Sequence, residues 1–186
     1  MVPAQKNGKR VACIGAGPAS LTVANDLLPL GYEVVILEQW DQPGGLMRTN
    51  IPAFRLPETV IDEEIGYITG MGAEIRYGTR VDSLKQLLAT GGYDAVVVGS
   101  GAPKGKELKL PGRKEGDANI HIGIQWLESV AFKHLDKIGE KVLIIGVGNT
   151  AMDCCRSSLR LGAKDVKVMA RKPRQFFKAS EWELED

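Results

Sequence analysis

The sequence lacks a long hydrophobic run and any marked excess of charge. Its longest apolar stretches, such as residues 142–145, are far shorter than the ~20 residues that a membrane-spanning helix needs. The 24 basic and 23 acidic residues give a formal net charge of +1, which argues against a general attraction to nucleic acid. The first ten residues include cations but no apolar stretch of a secretory signal. We therefore expect a cytoplasmic protein that binds neither a membrane nor a nucleic acid.

Cysteines at metal-binding spacing and clusters of histidine are also missing. The chain has 3 cysteines and 2 histidines, and no Cys-x-x-Cys spacing occurs. A zinc or iron–sulfur site within this chain is therefore not expected. Cys154 and Cys155 are adjacent in a predicted helix, where their side chains point about 100° apart. We interpret them as packing residues, with a strained redox disulfide as the alternative.

A strand, a glycine turn, a helix and a second strand open the chain. Residues 11–14 predict an apolar strand, and apolar residues at helical spacing follow as far as Gly31. Residues 33–38 predict the next strand. The right-handed crossover of such a βαβ unit gives a parallel sheet with its ligand at the carboxyl ends of the strands. The loop after it, residues 39–57, is rich in proline and glycine, and a loop of this length is more often functional than incidental.

The remaining sequence predicts further elements and then a second βαβ unit. A helix after Pro57, a strand at 73–77, a short helix at 83–88, a buried strand at 94–99 and helical structure within 120–133 come first. The second βαβ unit consists of a strand at 142–145, a helix at 150–161 and a strand at 165–170. We predict an α/β fold of two Rossmann-like dinucleotide-binding modules with parallel sheets, the second incomplete. The expected boundaries are 1–110 for the first module, 111–140 for a crossing region and 141–186 for the second module.

The first glycine motif is Gly15-Ala-Gly17-Pro-Ala-Ser20, between a predicted strand and a predicted helix. Its first glycine permits a tight turn, and Gly17 lets a pyrophosphate approach the backbone at the positive end of the helix. Ser20 stands where a third glycine is usual. Glu38 ends the second strand, where a carboxylate can accept both ribose hydroxyls. We interpret this motif as a dinucleotide site; the alternative is a plain turn with a solvated Glu38.

The second glycine motif, Gly146-Val-Gly148-Asn149-Thr150-Ala-Met-Asp153, repeats this logic about 130 residues later. No acid ends its second strand, which instead runs into Arg171 and Lys172. Cations near the adenine ribose suit a 2′-phosphate better than two hydroxyls, which slightly favours NADPH over NADH. The alternative is a solvated basic strand end balanced by the acidic tail, which comprises Glu181, Glu183, Glu185 and Asp186.

These motifs together give the chain a family resemblance. It contains Gly15-x-Gly17-Pro-Ala, Gly44-Gly45-Leu46, Ile51-Pro-x-Phe54-Arg55-Leu-Pro57 and the second glycine motif, in that order. With these it resembles the small subunit of glutamate synthase and the flavin and nicotinamide half of dihydropyrimidine dehydrogenase. The resemblance runs over nearly the whole chain.

The resemblance implies FAD and NAD(P)H as cofactors and assigns residues to each. For FAD it implies pyrophosphate contacts at Gly15, Gly17, Ala19 and Ser20, and a ribose contact at Glu38. Flavin-side contacts are implied around Gly45, Leu46, Arg48 and Ile51, and Pro18, Gln39, Val81 and Gly101 are further cofactor-binding residues. For the nicotinamide nucleotide it implies phosphate contacts at Gly148, Asn149 and Thr150, beside the cations Arg171 and Lys172. No catalytic acid or base and no metal ligand is assigned.

The sequence also departs from the family's pattern. Gly99-Ser100-Gly101 stands where alanine–threonine–glycine is usual, and Thr49-Asn50 stands where tyrosine–glycine is common. Family members usually begin with a cysteine-rich iron–sulfur domain and end with a segment that closes both nucleotide domains. Because neither is found here, we expect the sequence to be a fragment or an incomplete subunit.

The activity that the resemblance implies is hydride transfer between NAD(P)H and FAD. Electrons would pass to or from an iron–sulfur or metal-cofactor subunit or domain, which makes a hetero-oligomer the expected assembly. Two alternatives remain at this point: a stand-alone ferredoxin–NADP reductase with the same two-nucleotide plan, and a non-catalytic, FAD-holding structural or docking subunit.

Overall fold

The structure of the protein is a computed structural model, which describes residues 5–185. The described chain divides into two compact units. The first comprises the residues up to Arg48 together with Leu56–Ala102, and the second comprises Thr49–Arg55 and the residues from Pro103 onward. The two compact units do not test the predicted boundaries of the cofactor-binding modules at residues 110 and 140. Those boundaries stay a prediction.

The first unit is built on a four-stranded parallel sheet. Its strands are β1 (Arg10–Ile14), β2 (Glu33–Leu37), β3 (Glu74–Arg76) and β4 (Ala95–Val98), in the order β3-β2-β1-β4. Ala12 of β1 lies opposite Val35 of β2 and Val96 of β4. The central strands are the most buried, because β1 and β2 are rich in valine and isoleucine that pack on both faces of the sheet.

Helices α1 (Pro18–Leu27), α3 (Glu58–Gly70) and α4 (Leu84–Thr90) belong to the first unit. Ile61, Ile65 and Ile68 of α3 recur at helical spacing and are buried in one cluster with Leu21 and Ile36. A 3-10 turn follows α1 and ends at Gly31, whose φ of 86° is the left-handed conformation that ends many helices. These contacts fix the turn between β1 and α1 at the carboxyl edge of the sheet.

The second unit contains a two-stranded parallel sheet and two packed helices. Strands β5 (Lys141–Ile145) and β6 (Asp165–Met169) pair in register from Lys141 opposite Asp165 onward. Helix α6 (Asn149–Arg160) connects them, and α5 (Gly123–Ala131) packs on α6 through Trp126, Leu127 and Cys154. The short helix α7 (Glu181–Glu185) ends the described chain.

The predicted α/β class with two Rossmann-like modules and parallel sheets is confirmed. Two local predictions were wrong. Residues 39–57 are not all loop, because α2 (Leu46–Thr49) forms within them. Strand β4 is not a buried strand: it is an edge strand of the sheet, and Val98 is 57% exposed. Within residues 5–185, every helix is too short or too polar to cross a lipid bilayer.

Candidate functional site

The turn after β1 can be built only with glycine at position 15. Gly15 has φ = 86°, a conformation that costs an L-residue roughly 1–2 kcal/mol. A Cβ atom on Gly15 would lie 2.9 Å from the carbonyl oxygen of Gly99, at the end of β4. The turn therefore packs backbone against backbone at the carboxyl ends of two neighbouring parallel strands.

Two further glycines complete a narrow backbone cradle in the first unit. Gly17 is the N-cap residue of α1. The amide of Gly44 donates to the carbonyl of Ala16 at 2.8 Å. Gly45, with φ = 52°, lies so close that its Cβ would be 3.0 Å from Cα of Gly17. The structure thus brings Gly15, Gly17 and Gly45 together, although Gly45 is 28 positions beyond Gly17 in the sequence.

The helix N-termini behind both glycine turns are left uncapped by side chains. Ser83 caps α4 by accepting a hydrogen bond from the amide of Gln86. In the described chain, no side chain does this for α1 at Gly17 or for α6 at Gly148. Uncapped N–H groups at the positive end of a helix attract an anion such as a phosphate. Among the described residues, helices α3 and α5 also lack a side-chain cap, so what sets α1 and α6 apart is that each uncapped terminus follows a strand and a glycine turn.

Ser20 explains two departures from the family's pattern at once. Its side chain is fully buried, and its Oγ has no hydrogen-bond partner among residues 5–185. A Cβ atom on Gly99 would collide with this Oγ. Serine at the third glycine position is thus accommodated by glycine at position 99, where the family usually has alanine.

Glu38 is held against the first glycine turn. One carboxylate oxygen accepts the amide of Ala16 at 2.6 Å, and the other accepts the amide of Trp40 at 2.9 Å. The residue is only 5% exposed. A carboxylate offers about four acceptor positions, so two remain for ribose hydroxyls. Glu38 directly follows β2 rather than ending it.

The other residues assigned to FAD lie in varied surroundings. Arg48 donates to the carbonyl of Pro43 at 2.8 Å and pairs with Asp62 and Glu58 of α3. It therefore fixes the Gly44-Gly45 loop. Val81 packs on Ala12, Val35 and Leu37. Gln39 and Gly101 are exposed, Leu46 is 37% exposed, and Ile51 belongs to the second unit.

The second glycine turn lies between β5 and α6. Gly146 has φ = 137°, and Gly148 is the N-cap residue of α6. Asn149 Oδ1 accepts the amide of Ser180 at 3.1 Å, and the carbonyl of Val147 accepts the amides of Lys178 and Ala179. The turn that carries the assigned residues Gly148, Asn149 and Thr150 is thus bordered by a later segment of the same unit.

The cations Arg171 and Lys172 follow β6 and are exposed. Lys172 Nζ lies 5.4 Å from the ring centroid of Phe176. Of the acids in the tail, Glu183 is buried on other arginines, and Asp186 lies outside the described residues. The proposal that these cations meet a 2′-phosphate stays a prediction.

Sequence reasoning missed an ion pair that joins the two most specific motifs. Arg55 Nη1 donates to both carboxylate oxygens of Asp153 at 2.7 Å. Arg55 belongs to the isoleucine–proline motif and Asp153 ends the second glycine motif. The opposite charges of two motif residues were the only signal that could have revealed it. Their sequence separation of 98 residues hid it.

The three cysteines lie in buried or half-buried positions. All three are free thiols, and burial raises the pKa of Cys13 to about 11 and that of Cys154 to about 12. The interpretation of Cys154 and Cys155 as packing residues agrees with the position of Cys154 in the α5–α6 core. Within residues 5–185, no group of three or more His, Cys, Asp or Glu side chains is arranged to hold a metal ion.

A match to a family model covers residues 9–185, and the family is described as pyridine nucleotide-disulphide oxidoreductase. The chain belongs to this family. The resemblance inferred from the motifs is also confirmed, since the relatives include proteins of both expected kinds. The subunit PreT of NAD-dependent dihydropyrimidine dehydrogenase from Salmonella typhimurium is 40% identical over 98% of the chain and 44% of the relative. The small chain of NADPH glutamate synthase from Azospirillum brasilense is 32% identical over 98% of the chain and 40% of the relative.

The chain thus spans less than half of the length of these relatives. Among solved structures, FprA of Mycobacterium tuberculosis in complex with NADPH superposes with a TM-score of 0.82 over 95% of the chain and 46% of that protein. At 20% sequence identity this likeness supports the fold alone.

Proposed function

We propose that the protein is the FAD- and NAD(P)H-binding part of an oxidoreductase that transfers hydride between the two cofactors. The observation that carries this proposal is the pair of strand–glycine turn–helix units, each with a helix N-terminus left uncapped by side chains. One such turn occurs in many nucleotide-binding proteins. Two in one chain suit two dinucleotides.

The first turn is proposed to hold FAD. A side chain at Gly15 would collide with the carbonyl of Gly99, and Ser20 is fully buried behind the turn. The remaining proposed contacts come from Pro18, Ala19, Glu38, Gln39, Gly45, Leu46, Arg48, Ile51, Val81 and Gly101. Since the Arg48 side chain is held by acids of α3, we expect it to act on the shape of the loop more than through its charge.

The second turn is proposed to hold the nicotinamide nucleotide. The amides at the N-terminus of α6 face the phosphates, with Gly148, Asn149 and Thr150 as contacts. Arg171 and Lys172 supply positive charge at the end of β6. When bound, the flavin supplies the capacity to accept hydride and pass electrons on singly. The protein's own task is to bind, orient and exclude water, so no side chain is assigned as acid or base.

Electrons are proposed to pass to or from an iron–sulfur or metal-cofactor subunit or domain. Two relatives are themselves named as a subunit and a small chain, which supports a hetero-oligomer. Cytoplasmic location is part of the same proposal and rests on the composition of the sequence.

The test is an anaerobic absorption spectrum of the purified full-length protein with its native partners. Bands typical of oxidised flavin that are lost on addition of NADPH or NADH support the proposal. A flavin that is bound and stays oxidised with both nucleotides favours the alternative of a docking subunit. The absence of flavin from a folded preparation, with no uptake of added FAD, contradicts both.

The choice between NADPH and NADH is expected to depend on Arg171. The two relatives are named as NAD-dependent and NADPH-dependent, so the family allows either. Replacing Arg171 with glutamate should lower kcat/KM for NADPH at least about tenfold, or ~1.4 kcal/mol, and leave NADH unaffected or improved. Steady-state kinetics with an artificial electron acceptor measure both values.

The control for Arg171→Glu is Lys167→Glu. Lys167 lies on β6, the strand that leads to Arg171, is exposed and pairs with Asp165, so it tests the general effect of charge reversal. Equal losses in the two variants, or no loss in either, would show that Arg171 faces solvent and that the preference for NADPH is wrong.

A further inference from the structure

Four charged side chains form a shielded cluster in the second unit. Arg55 binds Asp153 through Nη1, and its Nε lies 2.7 Å from Oε1 of Glu183 in an ion pair that lacks hydrogen-bond geometry. Nη1 of Arg156 lies 3.3 Å from the other oxygen of Glu183. The Glu183 side chain is 0% exposed and that of Asp153 is 6% exposed. Two carboxylates are thus withdrawn from water against two guanidinium groups.

Aromatic rings cover this cluster. The guanidinium carbon of Arg55 lies 5.3 Å from the ring centroid of Trp182, and that of Arg156 lies 4.8 Å from the centroid of Phe54. Burying a charge is expensive unless it is paired and hydrogen-bonded. Hydrogen bonds join Arg55 to Asp153 and Arg156 to Glu183, and a ring stacks on each guanidinium group, so these four side chains hold one another in a defined arrangement.

The cluster is connected to the second glycine turn at two points. Asp153 lies one helical turn after Asn149 in α6. Glu183 ends a segment, residues 178–183, that begins where Lys178 and Ala179 donate to the carbonyl of Val147 at 3.0 Å. Between these points Ser180 donates its amide to Asn149 Oδ1. The segment therefore runs from the turn to the cluster and is attached at both ends.

We propose that Glu183, held by Arg55 and Arg156, is a positioning residue for binding of the nicotinamide nucleotide. It anchors the segment 178–183 beside Asn149, and with it the end of the loop that begins at Arg171 and Lys172. Arg55 takes part from a distant place in the sequence, which gives the arginine of the isoleucine–proline motif a role in the nucleotide module. This inference rests on the proposed binding of a nicotinamide nucleotide at that turn.

The expected signature follows from preorganisation. If the anchor is weakened, the nucleotide must itself order the segment when it binds, and affinity falls by that cost. The bound complex is unchanged, so the rate at saturation is kept. A loss confined to KM and Kd is therefore expected, whereas general damage to the fold would lower kcat and flavin content as well.

The experiment uses Glu183→Gln in the full-length protein, which preserves the volume of the side chain. The KM for NADPH and the calorimetric Kd for NADP⁺ should both rise about fivefold, which corresponds to ordering roughly one residue, with kcat and the flavin spectrum unchanged. Glu181→Gln is the matched control, since Glu181 lies in the same helix and is exposed; it should alter neither constant. Arg55→Lys keeps the charge but cannot contact Asp153 and Glu183 through two separate nitrogens, and it should raise both constants by less.

Unchanged KM and Kd in folded Glu183→Gln would overturn the inference, as would a fall in kcat and flavin content at constant KM. If Glu183→Gln does not fold, Arg55→Lys decides by the same two constants. Failure of the proposed function looks different. Wild-type protein would then show no reduction of flavin by NADPH, while calorimetry with NADP⁺ still reports on the anchor.

Discussion

Replacing Gly15 with alanine is expected to destabilise the first unit by about 2–5 kcal/mol and to abolish retention of FAD. Two costs add. The left-handed backbone at φ = 86° costs an L-residue ~1–2 kcal/mol, and forcing a Cβ against the carbonyl of Gly99, 2.9 Å away, adds the ~1–3 kcal/mol typical of overpacking. The total is a large part of the roughly 5–15 kcal/mol that stabilises an ordinary domain. Urea unfolding and the ratio of FAD to protein after gel filtration measure the two effects.

The control is Gly92→Ala. Gly92 has φ = 66°, and nothing lies within 4 Å of the place that its Cβ would take, so this variant has the backbone cost without the collision. It should lose only about 1–2 kcal/mol and retain FAD. If the two variants are equally stable and both hold FAD, the close packing of Gly15 on Gly99 does not shape the site.

Replacing Glu38 with glutamine is expected to weaken FAD binding by roughly 1.5–3 kcal/mol, the range for hydrogen bonds to a charged group. The carboxylate accepts the amides of Ala16 and Trp40 and is proposed to accept both ribose hydroxyls. Glutamine turns one acceptor oxygen into an NH₂ donor, which would face either an amide N–H or a hydroxyl. Equilibrium titration of FAD into protein stripped of flavin measures the change.

Glu38 also stabilises the turn, so folding and binding must be separated. The free energy of unfolding of the flavin-free protein reports the two backbone contacts, and the Kd for FAD on folded protein reports the ribose contact. Glu33→Gln is the control, since Glu33 begins β2, the strand that Glu38 follows, and pairs with Lys6 at an exposed site. Reduced stability of Glu38→Gln with an unchanged Kd for FAD would restrict Glu38 to the turn.

The fold was predictable from the sequence where local pattern and packing agree. The strands β1 and β2 are short apolar runs, β1 ending at the Gly15 turn and β2 beginning soon after Gly31, and they form where predicted. The exposure of β4 was not predictable, because Val96 and Val98 have the apolar character of core residues and only the strand order places β4 at an edge. The short helix α2 was missed because four residues give too little periodicity.

For the candidate site, the sequence predicted which residues form the turns better than it predicted which residues contact one another. Gly15 and Gly17 followed from motif spacing, since the turn is local. The approach of Gly45 to Gly17 and the pairing of Arg55 with Asp153 are long-range contacts. A single sequence contains no signal for such contacts beyond the opposite charges or the small side chains of the two residues. The same limit concealed the relation between Ser20 and Gly99.

The close packing of Ser20 and Gly99 has a consequence for how the two positions change in evolution. Serine at position 20 and alanine at position 99 fit together poorly, because the methyl group would take the place of the hydroxyl oxygen and the serine would have to leave its present rotamer. Glycine at position 99 is compatible with either residue at position 20. A lineage that starts with glycine at position 20 and alanine at position 99 therefore reaches the present pair most easily by changing position 99 first. Among relatives, we expect the combination of serine and alanine to be the rare one, and an alignment of the two columns would show it.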